Sequence, residues 1–154
     1  MLAQPLLDVF RMNVRQAIAA DEPEAKLGQA VSLPLGILGF EQLKDCLLIA
    51  HPEEQPFLRL QAQDDPALMF LLLEPVFVLP DYQPDLPDPD VDFLGLKDSQ
   101  DAQLYNIVTV RSPGQATINL KGPIVFNRTT RVGKQVILNN AADYSVRHPL
   151  PLAS

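Results

Sequence analysis

The stretch LYNIVTV, residues 104–110, decides the fold class of this 154-residue chain. It combines β-branched and aromatic residues without Gly or Pro, a composition typical of a β-strand. Short apolar runs follow at residues 116–121, 123–126 and 135–138, each bounded by Gly, Pro or Asn. Short strands at such regular spacing, separated by turn signals, are typical of a β-sandwich or barrel.

The upstream sequence adds further strand candidates. Apolar and polar residues alternate from Phe10 to Ile18, which is the period of a half-buried strand. Five more candidates precede residue 104: residues 27–33, 45–51, 56–62, 67–73 and 76–80. The sequence therefore predicts an all-β fold, a single antiparallel β-barrel-like domain of about ten short strands over residues 1–154. Closing the sheet on itself would remove its exposed edges.

Helical signals are weak, and proline is abundant, with 15 Pro against 7 Gly. Residues 40–45, and a segment capped by Asp98 or Ser99, could each form one short helical turn. Residues 80–92 contain four prolines and five aspartates. Because each proline fixes its own φ, this segment is predicted to be a stiff surface connection between strands.

Charge is distributed unevenly along the chain. The formal net charge is −7, with −12 in residues 1–103 and +5 in residues 104–154. An acidic chain is a poor candidate for direct binding to nucleic acid, where affinity comes largely from neutralising phosphates. The acidic part could attract a basic partner or simply provide a solvated surface.

Targeting and membrane signals are missing from the sequence. The longest apolar run, residues 67–73, is far shorter than the roughly 18–20 residues that span a bilayer. The first residues lack the basic region and apolar stretch of a signal peptide. We therefore expect a cytoplasmic protein that does not bind a membrane.

A metal site is not expected. Asp88, Asp90 and Asp92 have the first ligand spacings of a calcium loop, but Phe93 and Ser99 stand where that loop needs Gly and Glu. The single cysteine, Cys46, lies in an apolar stretch and is predicted to be a buried, unreactive thiol. The sequence predicts no metal and no cofactor.

Catalytic signatures are also missing. Asp143, Ser145 and His148 supply the residue types of a hydrolase triad. On an extended strand, however, His148 would point away from the other two. No nucleophile elbow surrounds Ser145. We therefore expect a protein that is not an enzyme.

Several segments, in order, resemble one known family. They are residues 33–41 (LPLGILGFE), 56–61 (PFLRLQ), Asp81-Tyr82, 117–127 (TINLKGPIVFN), 133–138 and 144–150. The similarity runs from about Val9 to Leu150 and identifies the chain as similar to the flagellar assembly factor FliW family. The strongest match is TINLKGPIVFN.

The resemblance implies a binding protein with two partners. FliW-type proteins hold newly made flagellin in the cytoplasm and, when free, bind and antagonise the translational regulator CsrA, which represses flagellin translation. Flagellin's termini are apolar helices when assembled, whereas CsrA binds RNA and is expected to be basic. The candidate partner-contact residues are Glu41, Gln61, Asp81, Tyr82, Asn119 and Asn127.

Alternatives remain open for several of these features. Gly36 and Gly39 are expected to let Ile37, Leu38 and Phe40 fold back onto the barrel. The two asparagines could satisfy backbone groups at strand ends instead of binding a partner. The rival function is a small-molecule carrier or enzyme that uses the barrel interior. The interior would, however, be lined by bulky Leu, Val, Ile and Phe. A structural barrel with an unrelated partner is a third possibility.

Overall fold

The computed structural model describes residues 27–150. Nine strands lie in this part of the chain: β1 Leu27–Ser32, β2 Asp45–Ala50, β3 Leu58–Ala62, β4 Met69–Leu73, β5 Ala102–Ser112, β6 Gln115–Ile118, β7 Ile124–Asn127, β8 Gly133–Gln135 and β9 His148–Leu150. One α-helix, α1, spans Asp88–Leu94, and single 3-10 turns lie at Pro52–Glu54, Pro75–Phe77, Ser99–Asp101 and Ala141–Asp143.

The strands form one sheet in which all ladders are antiparallel. The order is β1-β2-β3-β4-β5-β6-β9, and β7 pairs with both β5 and β8. The long strand β5 organises this arrangement, since its first residues pair with β7 and its later residues pair with β6. β6 and β7 are therefore one long partner of β5, interrupted by residues 119–123.

Within residues 27–150, the sheet does not close into a barrel. A single parallel bridge, Ser32 to Val132, joins β1 to the residues before β8, and the Ser32 N–H donates to the Arg131 carbonyl at 3.0 Å. Since β8 has only three residues and already pairs with β7, no ladder forms between β8 and β1 in the described residues. The predicted antiparallel β-fold is confirmed, and the predicted barrel closure is not.

Side chains on the two faces of the sheet pack into separate clusters. On β4, Leu72 faces an inner cluster, while Leu71 and Leu73 face an outer one, as the two-residue period of a strand requires. The inner cluster consists of Val31, Leu33, Ile37, Leu43, Cys46, Leu48, Leu60, Ala62, Leu72, Tyr105, Ile124 and Phe126. The interior is therefore filled with side chains.

Cys46 is fully buried in the inner cluster, as predicted. Burial raises the pKa of its thiol to about 11, and the nearby charges of Asp45 and Asp64 act in the same direction. A thiol with such a pKa is a poor nucleophile at neutral pH.

Two elements differ from the sequence-based expectation. The strand predicted at residues 76–80 is instead the 3-10 turn Pro75–Phe77, because Pro75 supplies no N–H to a sheet ladder. The connection predicted over residues 80–92 ends in α1, with Pro89 in its first turn and Gly95 closing it at φ 67°. Proline is tolerated at that end of a helix, where its missing N–H has no intrahelical partner.

The weaker helical predictions are partly confirmed. Asp98 caps a turn by accepting a hydrogen bond from the Gln100 N–H at 2.7 Å. That turn spans only Ser99–Asp101, and β5 begins at the next residue. Residues 40–45 contain a turn without a helix, and the strand predicted at 135–138 lies at Gly133–Gln135. The strand predicted from Phe10 lies outside the described residues.

Candidate functional site

The glycine-rich turn of residues 36–40 has a conformation that only glycine permits at its first position. Gly36 has φ 68°, and a Cβ there would lie 2.6 Å from the Cα of Glu41. Ile37 and Phe40 then exchange two backbone hydrogen bonds, of 3.2 Å and 2.6 Å. The turn is therefore a tight, sterically constrained hairpin.

The side chains of this turn do not all fold onto the sheet. Ile37 is buried in the inner cluster, as predicted, and Phe40 makes an edge-on contact with Phe70, with ring centroids 5.1 Å apart. Leu38 is instead 66 % exposed, so its predicted packing is wrong. Since Leu38 lies at the tip of a two-residue hairpin loop, its side chain has no sheet beneath it.

Gln135 holds the exposed tip in place. Its Oε1 accepts from the Leu38 N–H at 3.0 Å, and its Nε2 donates to the Gly122 carbonyl at 3.1 Å. Both the oxygen and the nitrogen of the Gln135 amide are therefore hydrogen-bonded, and they connect the turn to the loop between β6 and β7. The contact joins residues 97 positions apart in the chain.

A surface groove of about 330 Å³ lies beside this turn. We call it the turn groove, and it is lined by Leu35, Gly36, Leu38, Glu41, Asp90, Lys134, Gln135 and Ile137. Leu35 and Ile137 are each 53 % exposed. The groove thus combines exposed apolar walls with a few polar groups, as binding grooves commonly do.

Two of the three charged residues of the turn groove form an ion pair with each other, and the third does not. Asp90 of α1 forms an ion pair with Lys134 of β8, and the Lys134 ammonium lies 5.9 Å from the centre of the Phe93 ring. The Glu41 carboxylate accepts from the Gly39 N–H at 3.1 Å and forms no ion pair with residues 27–150. The groove therefore carries one uncompensated negative charge.

A second surface is formed by residues 80–92, which we call the proline segment; it meets the turn groove at Asp90. Its anchor is Tyr82, whose hydroxyl donates to the Leu120 carbonyl at 2.7 Å. The Tyr82 ring packs edge-on against Tyr144 at 4.7 Å, and the Tyr144 hydroxyl accepts from the Gln83 N–H at 3.0 Å. The pKa of Tyr82 is raised to about 12, mainly by burial, so it remains a neutral donor.

Asn140 fixes the middle of the proline segment. Its Oδ1 accepts from the Asp85 N–H at 3.0 Å, and its Nδ2 donates to the Gln83 carbonyl at 2.8 Å. The Asn139 N–H also donates to the Asp85 carbonyl at 2.8 Å. The segment therefore presents its exposed carboxylates from a fixed backbone; these are Asp81, Asp85, Asp88 and Asp92.

The two predicted asparagines have internal roles. Asn119 accepts from the N–H groups of Lys121 and Gly122 at 3.0 and 3.1 Å. Asn127 accepts from two N–H groups after β7 and donates to the Leu94 carbonyl at 2.8 Å. Because only 6 % of its surface is exposed, Asn127 has little area available for contact with a partner. Both satisfy backbone groups near strand ends, which is the alternative that the sequence left open.

The six predicted residues do not form one site. Glu41 lines the turn groove, whereas Asp81 and Tyr82 belong to the proline segment. Gln61 lies half-buried on β3, between Leu47 and Met69 of the neighbouring strands. The sequence thus predicts residues from at least two surfaces.

Asn106 was missed by the sequence analysis. It is fully buried on β5, and its Nδ2 donates to the Asn119 carbonyl at 2.7 Å where β6 and β7 are interrupted. Its Oδ1 has no hydrogen-bond partner in the described residues. The sequence does contain one indication of this role, because Asn106 is the single amide residue in the mainly apolar LYNIVTV stretch.

Comparison with known proteins gives the family. The family model of the FliW protein matches residues 16–150. This chain belongs to the FliW family. A crystal structure of the flagellar assembly factor FliW has the same fold, with a TM-score of 0.71 and 38 % sequence identity over 84 % of this chain and 88 % of that one.

FliW relatives from several bacteria match most of the chain. The flagellar assembly factor FliW of Carboxydothermus hydrogenoformans is 41 % identical over 138 residues, which cover 88 % of this chain and 87 % of the relative. The FliW of Geobacillus thermodenitrificans is 43 % identical over 116 residues, or 75 % of this chain and 79 % of the relative. The family predicted from the sequence is confirmed. Within residues 27–150, no helix is long and apolar enough to cross a membrane.

Proposed function

We propose that this chain is a cytoplasmic flagellar assembly factor that binds flagellin and, when free, binds and antagonises CsrA. The observation that carries the proposal is the family match over residues 16–150 together with relatives named flagellar assembly factor. The two named partners come from the resemblance found in the sequence.

The mechanism is competition for one pool of protein, without a catalytic step. Flagellin in the cytoplasm occupies the factor, so less of it is free to bind CsrA, and CsrA then represses further flagellin synthesis. When flagellin is exported, the released factor binds CsrA and translation resumes. Such coupling requires only mass action and two affinities of suitable size.

The two surfaces have the chemistry that these partners would need. The proline segment presents four exposed carboxylates from a fixed backbone, which suits a basic, RNA-binding partner such as CsrA. The turn groove presents exposed leucine and isoleucine side chains, which suit the apolar terminal segments of flagellin. These matches support the proposal.

The test is binding between purified components. The full chain is mixed with flagellin and, separately, with CsrA, and each affinity is measured by calorimetry. A third titration adds flagellin to the complex with CsrA. We expect both partners to bind, with flagellin reducing the amount of CsrA bound. Binding to neither partner would refute the proposed function.

The rival function, a small-molecule carrier or enzyme, has no supporting observation in residues 27–150. The inner cluster packs twelve side chains between the strands, including Phe126 and Tyr105. A groove of about 600 Å³ borders this cluster and is lined by residues such as Gly28, Leu48 and Tyr105.

A further inference from the structure

We propose that the turn groove is the docking site for flagellin, and that it takes an apolar side chain followed or preceded by a Lys or Arg of the bound segment. This inference rests on the proposed function and deepens it, because it assigns one of the two partners to one surface.

The first argument is the concentration of exposed apolar surface. Eight large apolar side chains are exposed in the described part of the chain, and three of them, Leu35, Leu38 and Ile137, line this one groove. Clustered exposed apolar side chains mark protein-binding sites, whereas scattered ones need no explanation. The groove therefore has the composition of an interface core.

The second argument is that the groove is built before a partner arrives. Backbone hydrogen bonds hold the turn: the Gly36 N–H donates to the Leu33 carbonyl at 2.9 Å, and Ile37 and Phe40 exchange two more. The amide of Gln135 holds the Leu38 backbone from the other side. A side chain presented from a fixed backbone loses little further entropy on binding, so Leu38 has the properties of an anchor.

The third argument concerns the charge expected on the partner. The charges of Asp90 and Lys134 compensate each other across the groove, which leaves Glu41 as its net charge. Its carboxylate is exposed and can accept a hydrogen bond from a cation beside the apolar anchor. A purely apolar segment would leave this group without a cationic partner, and an acidic segment would be repelled.

The experiment compares matched substitutions in the full chain. Leu38→Ser removes the anchor, and Val146→Ser removes an equally apolar, 51 % exposed side chain outside the groove. Binding to purified flagellin and to purified CsrA is measured by calorimetry for both variants and for the unmodified protein. We expect Leu38→Ser to weaken flagellin binding about tenfold or more, with CsrA binding and the Val146→Ser variant within twofold of the unmodified protein.

A second pair of variants tests the charge and guards against misfolding. Glu41→Gln keeps an acceptor for the Gly39 N–H and removes the charge, so we expect flagellin binding about threefold weaker and less dependent on salt. Ile137→Ser removes the facing wall from a different element. It should reproduce the loss if Leu38→Ser is too unstable to measure.

The outcomes separate this inference from the proposed function. Unchanged flagellin binding in both Leu38→Ser and Ile137→Ser would overturn the assignment of the groove. Loss of CsrA binding with flagellin binding retained would overturn the assignment of the partner. Failure of the unmodified protein to bind flagellin would overturn the proposed function itself, and the inference with it.

Discussion

The turn groove and the proline segment are both short surface connections held rigidly, but only the groove has a steric constraint. The groove depends on a backbone that passes too close to Gly36 for any Cβ, and on the hydrogen bond from the Leu38 N–H to Gln135. The proline segment depends on side chains that reach across to it, namely Tyr82, Tyr144 and Asn140. One surface is apolar and the other is acidic.

This difference means that the two surfaces can be disrupted one at a time. A substitution that adds a Cβ at Gly36 disrupts the turn groove by a steric clash. A substitution that removes a hydrogen-bonding side chain releases the proline segment. Most of the substitutions below affect one surface and leave the other as an internal control.

The largest effect is expected from Gly36→Ala. The new Cβ would meet backbone atoms at 2.6 Å, and φ 68° is itself unfavourable for alanine, so the free energy of unfolding should fall by about 3 kcal/mol or more. Gly39→Ala is the matched control, because Gly39 has φ 86° but no atom within 4 Å of its absent Cβ. It should lose only about 1–2 kcal/mol, the cost of the backbone conformation. Urea unfolding measures both, and equal losses would contradict the steric explanation.

Tyr82→Phe should be next in size. The ring contact with Tyr144 is kept, but the buried Leu120 loses the phenolic donor to its carbonyl, which costs about 1–3 kcal/mol. The proposed binding of flagellin at the turn groove should be unchanged in this variant. A loss below about 0.5 kcal/mol would show that water replaces the hydroxyl without penalty.

Asn140→Ala should act more locally. The two hydrogen bonds to residues 83 and 85 are exposed, so their removal should cost about 1 kcal/mol. Hydrogen exchange at the Asp85 amide should accelerate, while exchange at Leu38 stays as in the unmodified protein. Faster exchange at both amides would mean that the two surfaces are not independently held.

The acidic surface should make CsrA binding sensitive to salt. The affinity is expected to fall a few-fold as salt is added, since exposed charges are screened over about 10 Å at 0.1 M. Replacing Asp81 and Asp85 by Asn should weaken binding and flatten this dependence. The control replaces Asp64 and Asp65, which are also exposed, with the same change in charge. Salt-insensitive binding, or equal effects of both pairs, would rule out the proline segment as the CsrA surface.

The smallest effect concerns the turn before β5. The pKa of Asp101 is lowered, first by the hydrogen bond from the Lys97 N–H and then by that from Asp98. A lowered folded-state pKa stabilises the fold above the carboxyl's ordinary pKa, and the contribution is lost as pH falls through the lowered value. Asp101→Asn should therefore lower the Tm slightly at pH 7 and not at all in acid. A difference that persists in acid would contradict this account.

Local composition was sufficient to predict most strands and insufficient to predict the site. Residues 104–110 are predicted to form a strand from their composition alone, because β-branched and aromatic side chains favour strands. The sequence does not predict α1, because the prolines of residues 80–92 are typical of a stiff extended connection, although Pro89 lies in the helical position that tolerates it.

The turn groove could not be predicted because its parts are distant in sequence. The glycines indicate a turn, but the exposure of Leu38 depends on Gln135, and no local pattern connects residues 97 positions apart. The same is true of the proline segment, because Asn140 and Tyr144 lie 55 and 61 positions beyond the residues Asp85 and Gln83 that they hold.

The hydrogen bond between Leu38 and Gln135 also provides a spectroscopic probe. The Leu38 amide belongs to an exposed residue, yet its proton is bonded to a side chain and not to water. Its exchange with solvent therefore follows the release of this one bond, an opening much smaller than global unfolding. In an NMR spectrum, this single resonance would report whether the groove is occupied.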